Sequence, residues 1–109
     1  HAESVPLGWP GSLGEYMVYQ ELRRLGKRDG WDFRYQPPPR GDTAAFEFTD
    51  PPRLAINVLS NEVQANPILM RAQMAGEGIT LVFIDEMDVL EDARYYVSAA
   101  LQYRDHSRA

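Results

Sequence analysis

AAFEFTDPPRLAINV, Ala44 to Val58, reads as a β-hairpin, and that reading decides the fold. Two short apolar arms, Ala44 to Phe48 and Leu54 to Val58, flank TDPPR. Pro51 and Pro52 fix φ and cannot continue a ladder, so the chain reverses there. The turn sets the register: with Thr49 across from Arg53, Glu47 faces Ala55 and Ala45 faces Asn57. Alternation then gathers Phe46, Phe48, Leu54, Ile56 and Val58 on a core face. The opposite face carries Ala45, Glu47, Ala55 and Asn57, an acid and an amide among small residues, which is where a site could sit.

Ahead of the hairpin, residues 1–11 hold two prolines and two glycines and are expected to lack regular structure, with Trp9 packed down as an anchor. Ser12 can cap a helix running to about Leu25, with Gly26 as its stop and Glu15 in capping-box spacing. Leu13, Tyr16, Met17, Tyr19, Leu22 and Leu25 recur at helical intervals. Glu15 heads the inward face, so two readings stand: an N-terminal cap, or a carboxylate aimed into a site. Trp31 to Gln36 alternates aromatic and polar residues as a half-buried strand, which Pro37, Pro38 and Pro39 stop. Arg40, Gly41 and Asp42 spell an adhesion tripeptide, but three residues recur by chance.

Beyond Val58 a polar connection leads to Asn66 as cap and Pro67 at the first turn of a second helix, ending at Gly76 and Gly78. Met70 and Met74 in it read as core filler. GITLVFIDE, Gly78 to Glu86, is a near-continuous apolar run, as in a central strand covered on both faces. Asp85, Glu86 and Asp88 at its end are either functional carboxylates or a solvating cluster that opens the next helix. That helix begins near Asp92, with Ala93, Tyr96, Val97, Ala100 and Leu101 on one face. Residues 104–109 form a tail expected to fray, and His106 within it is discounted as a base or ligand.

The expected order is therefore helix, strand, strand, strand, helix, strand, helix: a single α/β domain over residues 12–103, with a small mixed sheet and a central hairpin flanked by helices. With 109 residues, 44% of them hydrophobic, the chain can close one core without covalent staples. Absence of cysteine excludes disulfides, thiolate metal sites and cysteine nucleophiles. No apolar run approaches the ~20 residues that span a bilayer, and no signal peptide is seen, so the expectation is an intracellular or virion-associated protein with no membrane partner. A net charge of −5 repels nucleic acid overall. DNA binding would need a local patch, for which Arg23, Arg24, Lys27 and Arg28 are the candidates; the alternative is that these cations complement the helix dipole.

Four phrases carry a resemblance: GSLGEYMVYQELRRLG, FEFTDPPRLAINV, RAQMAGEGITLVFIDEMDVL and EDARYYVSAAL. In this order they resemble the restriction-endonuclease-like (PD-(D/E)XK) fold, closest to the very-short-patch-repair-like nucleases and the EDxHD homing endonucleases. The resemblance spans most of Gly11 to Leu101. It implies a Mg²⁺-dependent nuclease in which carboxylates hold the metal, the metal activates water, and a His relays protons. Carried across, the helix Glu falls on Glu15 and the final Asp on or near Asp85. The hairpin Asp falls on Ala45, the facing acid on Asn57, and the expected Gly-aromatic-His phrase on Leu59 to Val63, which has no His.

Three functions follow as expectations. The first is a divergent, catalytically degenerate endonuclease-fold domain of phage or mobile-element type, with at most weak metal or DNA binding. The second is a structural or assembly module that binds protein partners, such as a phage particle component. The third is an active Mg²⁺-dependent DNA endonuclease whose carboxylates have migrated to Glu15, Glu47 and Asp85, with Asn57 as a further metal donor.

Overall fold

A computed structural model of the chain describes residues 5–40, 43–50, 53–60 and 66–107, with 104–107 by backbone alone. Gly41 and Asp42 of the adhesion tripeptide, and the turn prolines Pro51 and Pro52, lie outside the described residues.

Helix α1, Leu13–Asp29, starts where Ser12 Oγ accepts from Glu15 N at 3.1 Å. Met17, Val18, Leu22 and Leu25 form its buried stripe. It does not stop at Gly26 as expected from the sequence. Gly26 lies inside the helix, where a Cβ would stand 2.7 Å from the Trp31 carbonyl oxygen, so this glycine admits a neighbouring backbone and does not end the helix. The left-handed terminator is Gly30, at φ 77°, whose N–H reaches the Gly26 carbonyl at 2.8 Å.

Strand β1, Phe33–Tyr35, pairs antiparallel with β2, Phe46–Phe48, setting Phe33 opposite Phe48 and Tyr35 opposite Phe46. Strand β3, Leu54–Leu59, pairs antiparallel with β2 in the expected register, Glu47 opposite Ala55 and Phe46 opposite Ile56. Alternation holds only from Phe46 onward. Ala45 packs in the core with Phe46, and Ala44 packs under the other face, the reverse of the expected assignment. The ladder gives out there, because Ala45 N–H donates to the Asn57 side chain at 3.2 Å.

Helix α2, Pro67–Gly76, is capped by Asn66, whose Oδ1 accepts from Leu69 N at 3.2 Å. It leads into β4, Thr80–Asp85, which lies parallel to β3. The sheet order is β1-β2-β3-β4. The final apolar strand is therefore an edge and not the centre; β3 is the strand buried along nearly its whole length. Coverage on both faces explains the misplacement, since Leu81 packs under α2 and Ile84 packs with the larger core although β4 is lateral.

Helix α3, Glu86–Ser107, begins directly after β4, nearly two turns earlier than the expected start, and carries helix into the tail expected to fray. Asp92 breaks it, with extended backbone at φ −156°, and restarts it by accepting from Tyr95 N at 3.1 Å. Tyr96, Val97, Ala100 and Leu101 face the core as the spacing predicts.

The result is three layers. Helices α1 and α3 close one face of the sheet over Phe46, Phe48, Leu54, Ile56 and Val58, with Val18, Leu22 and Val97 fully buried among them. Each such side chain contributes about 1.5–3 kcal/mol by leaving water. On the other face Met70 and Met74 cover Ala55, so much of the hairpin's second side is a small core rather than an open surface. No helix among the described residues is long and apolar enough to cross a membrane.

Candidate functional site

The capping distance from Ser12 to Glu15 is met by the backbone of Glu15, which leaves its carboxylate free to turn inward. It does so beneath β1. Oε1 accepts from the Tyr35 hydroxyl at 2.8 Å, and Oε2 is engaged by the Arg40 guanidinium. The same guanidinium donates to the Gln36 carbonyl at 3.1 Å and lies 6.0 Å above the Tyr35 ring. Both charged side chains are enclosed, Glu15 at 9% and Arg40 at 14% exposed. Trp9 stacks on the far side of this cluster, its ring 4.7 Å from that of Tyr35 and its Nε1 donating to the Ser12 carbonyl at 3.1 Å, so it is the anchor expected of it. Gly11 completes the enclosure: a Cβ there would run into the Glu15 carboxylate and the Tyr35 hydroxyl.

A second carboxylate joins through Gln36, whose amide donates to Glu47 Oε2. Arg34 approaches the same oxygen at 3.5 Å. Glu15 and Glu47 are thus linked through Arg40 and Gln36, each with a cation beside it. Burial, and then the adjoining Glu15 carboxylate, hold the Tyr35 phenol well above its ordinary titration range, so it stays a hydrogen-bond donor at any physiological pH.

Asp85 is exposed at the end of β4, where its Oδ1 accepts from Met87 N at 2.8 Å. Its neighbour Glu86 reaches a place that no local pattern foretells: Oε2 accepts from Gly14 N at 2.8 Å, placing a carboxylate against the positive end of α1. Asn57 is buried, with Oδ1 on Ala45 N and Nδ2 3.8 Å from the Met70 sulfur. The phrase in which a His would fall continues through Asn61, Glu62 and Val63, which lie outside the described residues.

These residues do not fit a divalent cation as they stand. Ala45 has no ligand atom, the Asn57 oxygen is spent on the backbone, and Glu15 already faces a guanidinium. Among the described residues no three His, Cys, Asp or Glu side chains come together as ligands. The arrangement can clamp α1 to the start of β1 and the loop after it.

In the candidate basic patch, Arg24 pairs with Glu21 at 2.8 Å and Arg28 with Asp29 at 2.9 Å, while Arg23 lies over the Tyr19 ring at 5.7 Å. Sequence reasoning had Glu15 but missed Arg40 and Tyr35. The available signal was that a buried carboxylate requires a cation, and the loop after the three prolines supplies one. No protein-family model matches the chain, and a search of curated proteins finds no significant match.

Proposed function

We propose that this chain is a restriction-endonuclease-like domain in which metal-dependent catalysis has given way to a structural ion pair, leaving at most weak metal or DNA binding. Element order and a sheet in which three antiparallel-linked strands are followed by a parallel one are compatible with that fold. The observation that carries the functional reading is the occupation of Glu15. Both its oxygens have donors, and Arg40 supplies the positive charge that a divalent ion would otherwise bring.

Titration calorimetry of Mg²⁺ and Mn²⁺ into the protein tests this, alongside plasmid nicking assays. The expected outcome is no saturable heat at millimolar metal and no difference for Glu15→Ala, Glu47→Ala or Asp85→Ala. Saturable binding that each substitution abolishes, together with nicking, would sink the proposal in favour of a migrated carboxylate site.

A second reading, a protein-interaction module, draws on exposed apolar side chains: Ile68 at 82%, Met87 at 70% and Tyr95 at 63%. Pull-down with surface variants at these positions tests it, since loss of a partner without loss of fold is the expected result.

A further inference from the structure

In a parallel ladder each residue points its N–H and C=O to the same side, and successive residues alternate between the two neighbours. Thr80 N–H donates to the Arg53 carbonyl at 3.0 Å, so Thr80, Val82 and Ile84 address β3. Leu81 and Phe83 therefore turn their N–H and C=O outward, and Asp85 turns its N–H outward, its carbonyl being taken by the first turn of α3. Among the described residues no strand pairs with that side. A groove of about 650 Å³ runs along it, flanked by Arg71 and Ala75 of α2 and by Tyr103 of α3. The strand TLVFID has no proline, lysine or bulge, the usual devices that blunt an edge. Among the described residues it is guarded by Arg71, whose Nε donates to the Leu81 carbonyl at 3.4 Å and whose guanidinium lies 5.3 Å over the Phe83 ring.

We propose that β4 is a self-association edge: a second copy of this chain pairs antiparallel through its own β4, about a two-fold axis at Phe83. Extending a sheet this way puts the axis normal to it, so opposed residues share a face. With the axis at Phe83, that residue meets its own copy and Leu81 lies across from the partner's Asp85. Phe83 then forms a hydrogen-bonded pair with its copy and Asp85 N–H meets the partner's Leu81 carbonyl, which no register displaced by one residue achieves.

Charge selects the same occupant. Asp85 follows Leu81 and Phe83 at alternate positions, which places it on the α2 face of the strand, where Arg71 stands beside Leu81. On pairing, Arg71 leaves the Leu81 carbonyl to the partner's backbone and meets the partner's Asp85 carboxylate. Symmetry makes this happen twice. An unrelated extended segment would bring no such acid in register, whereas a second copy brings it by construction.

The edge is short against a standard interface of about 1,600 Å², so the dimer is expected to be weak and to appear as protein concentration rises through the micromolar range. Sedimentation velocity on the whole chain reads it. The expected result is a shift from one to two chains' mass in the unaltered protein. Asp85→Arg and Arg71→Asp each raise the dissociation constant more than about tenfold by opposing like charges, and the double variant restores it. Both positions are exposed, and circular dichroism verifies that the variants fold. A protein that stays monomeric throughout, a dimer indifferent to either single substitution, or a loss that the double variant fails to reverse would each overturn the proposal. None of these outcomes depends on whether Glu15 binds metal.

Discussion

Arg40 reaches Glu15 from a loop just past three prolines, and the consequences of each substitution follow from what would be left behind. Arg40→Met strands a buried carboxylate with Tyr35 as its remaining side-chain donor among the described residues, a loss of about 3–5 kcal/mol in urea unfolding. Glu15→Leu together with Arg40→Met should recover part of that loss, because no unpaired charge remains; a double that is simply the sum of its singles would refute the clamp. Tyr35 adds a pH dependence whose sign is fixed. Its phenol is raised, mainly by burial and then by Glu15, so the folded state keeps a proton that the unfolded chain sheds near pH ~10. The stabilisation is whole below that pH and falls as pH rises through the folded value. Tyr35→Phe should flatten the decline measured between about pH 9 and pH 11, at a neutral-pH cost of about 1–3 kcal/mol for the donor lost to Glu15. Some slope remains, since Tyr96 is raised as well, chiefly by Asp88.

Among the elements, two glycines of α1 make a contrast that thermal melts can rank. Gly26→Ala meets a main-chain oxygen at 2.7 Å and should cost about 1–3 kcal/mol, although alanine is the better helix former. Gly14→Ala meets the Glu86 side chain at 2.6 Å, at Cγ as well as Oε2; a side chain yields where a main-chain oxygen does not, so it should be milder, with loss of the Gly14 N–H bond to that carboxylate. Asp92→Ala removes the restart of α3 and should cost about 1 kcal/mol. The sequence made the hairpin register legible because turn and alternation agree on it, and Ser12 and Asn66 were legible because capping is local. The end of α1 was not, since a glycine that terminates a helix and one that admits a neighbouring backbone look alike. The lateral place of β4 was not either: an apolar run reports coverage above and below, and says nothing of the strand's neighbours. Glu15 could be picked out from its spacing, but Arg40 arrives by a tertiary path that no local pattern encodes.

At the scale of the whole molecule, a net charge of −5 and the pairing of Arg24 and Arg28 leave Arg23 and Lys27 as the cations of the basic run without a carboxylate partner among the described residues. On the proposed reading, duplex DNA binding in fluorescence anisotropy should be weak and vanish by about 0.15 M salt, and Arg23→Ala with Lys27→Ala should weaken it at low salt. Tight binding at that salt would contradict it. The sheet order has a kinetic consequence. Because β1 to β4 stand side by side in the order in which they occur along the chain, each strand can dock on one made just before it, and little loop entropy is lost in assembling them. The core they line is another matter, for Val18 and Leu22 of α1 are closed over by Val97 and Ala100 of α3, from the far end of the chain. On a ribosome the sheet can therefore form as it emerges, yet its larger apolar face stays open to chaperones until α3 has cleared the exit tunnel.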